Sequence, residues 1–349
     1  MSASPVPPLQ HAIRRLAAGA SLTSAESRAA FDAVMSGEAT AAQIAAILVG
    51  LRVKGETPEE VAGAAAALRD AMVHLPADRP EDLVDTCGTG GGAVGTFNIS
   101  TAAALLAAGA GVRVAKHGNR SFTSQCGSAD VLEALGVPIE VPVPVMERAL
   151  REAGIVFMFA PLMHPAMRHV GPVRRELGIP TLMNIVGPLA NPAGAGRQVV
   201  GVADARRVPL IAGALQELGT RRALVVHGEP GMDEISPLGL TEVIEIRDGR
   251  SMQWTVDPTR FGFGAGRAEE LSGGPPAENA AAVRAVLAGN APPTAVAAVA
   301  LNAAAAVFVS SESVADFGEA LERTRDALDS GAGLEALERL RRAFASAPR

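Results

Sequence analysis

Asp85-Thr-Cys-Gly-Thr-Gly-Gly-Gly92 sets four glycines within five positions directly behind the short apolar run Leu83-Val84. Thr96-Phe-Asn-Ile-Ser-Thr101 follows and brings hydroxyl and amide side chains to the point where a helix should begin. Bare backbone N–H groups, hydroxyls and a helix N-terminus together make a cradle for a phosphate-rich ligand. Asn98 or Ser100 also suits the N-cap of that helix, accepting from its free amides. Gly88-Thr-Gly-Gly-Gly-Ala93 fits the dinucleotide pattern G-x-G-x-x-A in letters only. The helix does not open at once, and the strand after it, 112–115, runs into Lys116 where an acidic residue should hold a ribose. No Gly-Lys-Ser/Thr follows, so this is not a nucleoside-triphosphate loop either.

One strand later, Lys116-His-Gly-Asn-Arg-Ser-Phe-Thr-Ser124 packs two cations, a histidine, an amide and three hydroxyls into nine residues. Ser128, in Gly127-Ser-Ala-Asp130, adds a further donor or a plain helix cap. His117 fits a structural hydrogen-bonder as well as a site residue. The segment His164-Pro-Ala-Met-Arg-His-Val-Gly-Pro-Val-Arg-Arg175 has two histidines without metal-ligand spacing. On a helix, His164, Arg168, Gly171 and Arg175 share one stripe, while Arg174 lies nearer Met167 and Val170. A guanidinium offers a rigid fork for a carboxylate, but spacing does not choose among the three arginines. Asp233 and Glu234 are neighbouring carboxylates in a Gly/Pro-rich loop behind strand 222–227. Mg²⁺ is commonly held by one or two carboxylates together with substrate phosphates. These parts describe a Mg²⁺-bridged phosphorylated sugar bound beside a second, anionic substrate.

Positioning them calls for an α/β chain with a helical start. Thr23-x-x-Glu26, Thr40-x-x-Gln43 and Thr57-Pro58-x-Glu60 each spell a capping box, and Gly37 and Gly55 stand where helices would stop. The expected helices are 8–19, 24–36, 41–54 and 58–74. From Asp82 short β-branched runs alternate with helical stretches. Strands are expected at 83–86, 112–115, 155–159, 181–186, 198–203, 222–227 and 243–247. Helices are expected at 101–109, 129–135, 144–153, 165–177, 206–218, 277–288, 294–309 and 315–330. The fold class is therefore a small all-helical N-terminal domain, 1–78, plus a larger α/β domain, 79–349, with a mainly parallel central sheet flanked by helices. Ligands of such sheets gather at the carboxyl ends of the strands, where all the motifs fall.

Composition narrows the class further. The 349 residues carry a net charge of −6 with no strongly basic stretch, which disfavours a nucleic-acid partner. Two cysteines without C-x-x-C spacing and no basic-then-apolar leader point to a cytoplasmic protein. The uncharged stretch from Leu287 to Ser311 contains Asn290, Pro292, Pro293 and Asn302. It reads as a buried helix starting near Pro293, not a membrane span.

Gly88-Thr-Gly-Gly91, Thr96-x-Asn-Ile-Ser-Thr101, Lys116-His-Gly-Asn-Arg120, Gly127-Ser-Ala-Asp130, Asn184-Ile-Val-Gly-Pro-Leu-Ala-Asn-Pro192 and Gly231-Met-Asp-Glu234 together resemble the anthranilate phosphoribosyltransferase family of tryptophan biosynthesis. The likeness runs in order over nearly the whole chain. Pyrimidine nucleoside phosphorylases share the architecture but carry a different Lys/Ser/Thr-Gly-Gly phosphate string. The resemblance implies a homodimer formed through the helical lobe, with the helix at 165–177 joining the lobe to the larger domain. It implies phosphoribosyl pyrophosphate over Gly88, Gly91, Gly92, Thr96, Asn98, Ile99, Ser100 and Thr101. Lys116, His117, Gly118, Asn119, Arg120, Ser121, Phe122, Thr123, Ser124 and Ser128 would close around it. It implies Mg²⁺ on Ser100, Asp233 and Glu234, and anthranilate against Gly88, Asn119, His164 and Arg174. No residue stands out as a general base. The family usually has Asp where this chain has Gly92, close to the expected pyrophosphate and metal. Rival readings are a non-catalytic nucleic-acid-binding relative and another glycosyl transfer with a different acceptor.

Overall fold

Threonine hydroxyls open three of the four N-terminal helices. The computed structural model describes residues 6–121 and 125–345, and begins with α1 (Pro8–Ala17), α2 (Ser24–Met35), α3 (Ala41–Lys54) and α4 (Pro58–Asp70). Thr23, Thr40 and Thr57 each accept from the third residue of their helix, and Glu26, Gln43 and Glu60 answer reciprocally. Gly37 and Gly55 follow α2 and α3 at φ 82° and 89°, a left-handed conformation that ends a helix cheaply only at glycine. Glu60 is fully buried, yet its carboxylate accepts from the Leu22 and Thr57 amides and from the Lys54 ammonium. A buried carboxylate survives only with such partners.

Alternation then takes over. The chain continues through β1 (Val84–Gly88), α5 (Ile99–Gly109), β2 (Val114–Gly118), α6 (Ser128–Ala134), α7 (Val143–Ala153), β3 (Ile155–Phe159), α8 (Ala160–Met163), α9 (Met167–Leu177) and α10 (Met183–Val186). It closes with β4 (Arg197–Gly201), α11 (Val208–Glu217), β5 (Arg222–Gly228), β6 (Thr241–Arg247), β7 (Arg250–Val256), α12 (Pro276–Leu287), α13 (Pro293–Ser310), α14 (Phe317–Asp329) and α15 (Ala332–Ala345). The seven strands form one sheet in the order β3-β2-β1-β4-β5-β6-β7. The first five are parallel, and β6 and β7 are antiparallel. The chain builds outward from β1 to β3 and then returns to β4 on the other side of β1. Such a reversal opens a crevice at the carboxyl ends of β1 and β4, where Gly88 and Gly201 are register partners.

Strand side chains alternate between two cores. Val199 and Leu224 pack with α5, α13 and α15, whereas Val200 and Val225 join the opposite core. That second core runs without a break through Val170 and Val173 of α9 into Phe31, Ile47 and Leu48 of the N-terminal helices. The apolar helix α13 is long enough to cross a membrane by length and composition, but 83% of it is buried inside the protein. The expectation of a buried helix beginning near Pro293 is met.

Four elements differ from the sequence reading, the short helix α8 among them. Residues 181–186 do not form a strand: Met183–Val186 is a helical turn. Asn184 turns its side chain back to accept from the Thr181 amide, and it is exposed between buried neighbours on either side, a pattern that fits a helix turn. The edge strand β7 and the C-terminal helix α15 were not expected. β7 follows β6 through Asp248-Gly249, both at positive φ, the geometry of a two-residue hairpin turn.

Candidate active site

The glycine loop is fastened to the loop after β5. Asp233 Oδ2 accepts from the Gly90 amide at 2.8 Å, and the Gly231 carbonyl accepts from the Ala93 amide at 2.8 Å. A Cβ on Gly88 would stand 2.6 Å from Asp233 Oδ2, and one on Gly201 would collide with the Asp233 carbonyl oxygen. At Gly201 only glycine admits the Asp233 main chain this close to the end of β4, while at Gly88 the close contact is with the Asp233 carboxylate. A Cβ on Gly92 would lie 3.1 Å from the Gly231 oxygen and 3.2 Å from Asp233 Oδ1. The aspartate usual at position 92 would therefore begin its side chain directly beside the Asp233 carboxylate. Gly88 and Gly91 are exposed, and Gly92 and Thr96 are half-buried.

Asn98 occupies the N-cap position of α5 but makes no capping bond, which corrects that expectation. Its amide donates to the Cys126 carbonyl at 3.1 Å and accepts from Asn279 at 2.9 Å. The first turn of α5 thereby gets no cap from Asn98, and its Ser100 amide faces the Glu234 carboxyl instead. Ile99 and Thr101 are buried in that turn, so only their main chain is offered to a ligand. Ser100 is half-buried, with its Oγ 3.4 Å from the Lys116 ammonium.

Lys116 lies beneath the crevice. Its Nζ donates to the Thr86 carbonyl at 2.5 Å, and burial lowers its pKa while Asp85, Cys87 and Glu234 raise it. Asp85 accepts from the His117 amide at 3.1 Å and from Asn191 at 2.7 Å. Burial pushes its carboxyl up to about 6 against the pull of Lys116 and these donors. Glu234 is pushed up to about 8, first by burial and then by the neighbouring Asp233 charge, with Lys116 and the Ser100 amide opposing. Asp233 is also raised, by burial. Burial and mutual repulsion disfavour ionising both of these adjacent carboxyls, and a cation bound between them would reverse that.

The second loop is tied down separately. Ser128 Oγ donates to the Asn119 carbonyl, and a Cβ on Gly118 would collide with that Oγ. Asn119 is half-buried and its Oδ1 accepts from the Arg120 amide. The Arg120 guanidinium is turned to Asp130 and Glu133 of α6, at 2.9 and 2.5 Å, and lies over the Phe159 ring. Ser121 is half-buried beside them, its amide donating to Asp130. Phe122, Thr123 and Ser124 lie outside the described residues.

His117 and His164 meet through their Nε2 atoms at 3.1 Å, both buried. Burial lowers both; His117 falls well below the usual imidazole value and His164 to about 4. Arg168 and Arg175 are exposed, whereas Arg174 is half-buried, and burial lowers its pKa. Among the described residues Arg174 has no hydrogen-bond or ion-pair partner, so its fork is uncommitted. Asp85, Asn191 and Thr86 were not expected as supports, since residues so far apart in sequence meet only in the fold. No group of three or more His, Cys, Asp and Glu side chains suited to a metal occurs among the described residues. The Asp233–Glu234 pair with Ser100 is an all-oxygen, incomplete donor set, suited to a hard cation that also takes ligands from a substrate.

Comparison with known proteins follows the same division. Residues 80–334 match the glycosyl transferase family, a/b domain, and residues 10–72 match the glycosyl transferase family, helical bundle domain. Fold and site thus define a two-part glycosyl transferase. Anthranilate phosphoribosyltransferase of Herpetosiphon aurantiacus is 50% identical over 320 residues, covering 91% of this chain and 94% of that one. The crystal structure of anthranilate phosphoribosyltransferase from Thermus thermophilus superposes with a TM-score of 0.89 at 42% identity, over 96% of this chain and 99% of that one. The Saccharomyces cerevisiae enzyme in complex with PRPP and Mg superposes with a TM-score of 0.86 at 26% identity, over 97% and 98%. This chain belongs to the anthranilate phosphoribosyltransferase family.

Proposed function

We propose that this chain transfers the phosphoribosyl group of 5-phosphoribosyl 1-pyrophosphate to the amine of anthranilate, a step of tryptophan biosynthesis. The observation that carries the reading is the junction of the glycine loop with Asp233 and Glu234 at the switch point of the sheet. The anthranilate nitrogen forms a bond to C1 of the ribose as the bond from C1 to pyrophosphate breaks, and the nitrogen loses a proton. An arylamine is neutral at pH 7 and nucleophilic, so the step needs no strong general base.

In this reading phosphoribosyl pyrophosphate lies over Gly88, Gly91, Gly92 and Thr96 and against the Asn98–Thr101 turn. Asn98 does not cap that turn, which leaves amides other than that of Ser100 for an anion. Lys116, His117, Gly118, Asn119, Arg120, Ser121 and Ser128 surround it. For Lys116 and Arg120 the role is indirect: one supports the crevice floor, the other braces the loop on α6. Phe122, Thr123 and Ser124, next in the sequence, are included on the resemblance alone. Ser100, Asp233 and Glu234 would hold Mg²⁺, whose all-oxygen preference their chemistry fits. When bound, Mg²⁺ supplies charge that stabilises the departing pyrophosphate. Anthranilate lies against Gly88, Asn119 and His164, and Arg174 takes its carboxylate. Holding the two substrates in line supplies much of the remaining acceleration.

The domain division 1–78 and 79–349, joined by α9, belongs to the same proposal. The separate family matches and the contact of α9 with the N-terminal core support it. A cytoplasmic homodimer formed through the helical lobe, where Val53 of α3 is 81% exposed, is a further part of the proposal. Sedimentation at twice the 35.6 kDa chain mass is expected; sedimentation as a monomer at micromolar concentration contradicts the dimer.

The site assignment has a direct test. Asp233→Ala combined with Glu234→Ala is expected to lower Mg²⁺-dependent turnover about a hundredfold or more. Turnover equal to that of the parent protein removes the metal assignment.

A further inference from the structure

Asp233 and Glu234 occupy the two positions between two fixed points of the loop after β5. The first is the bridge between Gly228 and Met232, whose amides and carbonyls exchange hydrogen bonds. The second is Ile235, fully buried, whose main chain is held by a single side chain from another element. Asn302 Oδ1 accepts from the Ile235 amide at 2.9 Å, and Asn302 Nδ2 donates to the Ile235 carbonyl at 2.9 Å. The other Nδ2 hydrogen goes to the Ala298 carbonyl at 2.9 Å. Both amide hydrogens and the carbonyl oxygen are thus used, and only this orientation of the amide satisfies all three partners.

Asn302 sits in the middle of α13, where every other side chain from Ala295 to Val309 is apolar. A buried amide in such a helix is expensive unless it answers buried polar groups elsewhere. Here it answers both main-chain groups of Ile235, which otherwise lack a strand partner in the sheet. The loop has no slack below it: a Cβ on Gly201 would strike the Asp233 carbonyl, and one on Gly228 would stand 2.5 Å from the Glu234 carbonyl.

We infer that Asn302 is a positioning residue for cation binding. By clamping Ile235 it sets the direction in which the Asp233 and Glu234 carboxylates leave the loop. It touches neither substrate and acts through the main chain. The inference rests on the reading of Asp233 and Glu234 as the Mg²⁺ ligands.

Asn302→Leu keeps the branching of the side chain, at a larger volume, and removes the clamp. Asn302→Ser is the companion variant, since its hydroxyl bonds back to Ala298 and releases Ile235 with less disturbance of the helix. Thr324→Val, which removes a buried hydroxyl bond to Ala320 in α14, is the control for loss of stability alone. Titration calorimetry of phosphoribosyl pyrophosphate with and without Mg²⁺, and the Mg²⁺ dependence of the rate, are measured on each folded protein. Both Asn302 variants are expected to weaken Mg²⁺-dependent binding about tenfold or more and to shift half-saturation by Mg²⁺ alike. KM for anthranilate at saturating Mg²⁺ stays the same, and Thr324→Val moves none of these. A lowered melting temperature with a parental Mg²⁺ response in either folded variant overturns the inference. If the Asp233→Ala, Glu234→Ala protein also keeps that response, the metal assignment falls with it; if it loses the response, that assignment stands and only the role of Asn302 falls.

Discussion

Acid is expected to act on the His117–His164 contact. Both rings are buried with depressed pKa values, His164 at about 4 against an ordinary 6.5. The unfolded chain takes up these protons below pH 6.5, whereas the folded protein resists both, at His164 until near pH 4. Stability is therefore full above pH 6.5 and falls as pH drops through that window. Between pH 7 and pH 5 His164 accounts for roughly 2 kcal/mol of the loss. Urea unfolding at the two pH values measures it, and His164→Gln should reduce the difference by about that amount. An unchanged difference would show that the ring is not held neutral by burial. At this scale the sequence made the donors legible, because glycine, hydroxyl and carboxylate clusters announce themselves. It did not make the supports legible: Asp85, Asn191 and Asn302 are single polar residues whose partners lie 32, 106 and 67 positions away.

Elements carry a second kind of constraint, close approach. Gly63 of α4 packs on α2, where a Cβ would collide with the Ser24 carbonyl and stand 2.7 Å from Ser27 Cβ and 2.8 Å from the Arg28 amide. Alanine is the better helix former by about 1 kcal/mol. Backbone atoms of α2 cannot swing aside, however, and overpacking costs about 1–3 kcal/mol. Gly63→Ala is expected to lower stability in urea unfolding; a gain would mean that the two helices slide freely. The N-terminal helices were legible to within a few residues because their caps are chemical signals. The run 181–186 was misread because a short β-branched stretch has no decisive period, and Asn184 determines it locally. β7 was missed although Asp248-Gly249 is a hairpin signal, since an exposed edge strand shows little apolar alternation.

For the molecule as a whole, one sheet separates two cores and places the glycine loop, the end of β2 and the carboxylate pair at one end. The glycine loop follows β1 and the carboxylate pair follows β5. Lys116, His117 and Gly118, expected in a loop after a strand ending at 115, are the last residues of β2 itself, with Asn119 to Ser121 following it. The alternation of helix and strand made that arrangement legible, and the family comparison agrees with it. Gly92 stands where the resemblance leads one to expect an aspartate, and the space beside it is taken by Asp233 and the Gly231 carbonyl. The decisive measurement is the fluorescence of anthranilate after mixing the protein with phosphoribosyl pyrophosphate and Mg²⁺, each component omitted in turn. Loss of fluorescence that requires all components is the expected result and would make Gly92 a tolerated variation. A folded protein that leaves the fluorescence unchanged would contradict the proposed transfer, and Gly92→Asp would then be the first variant to make.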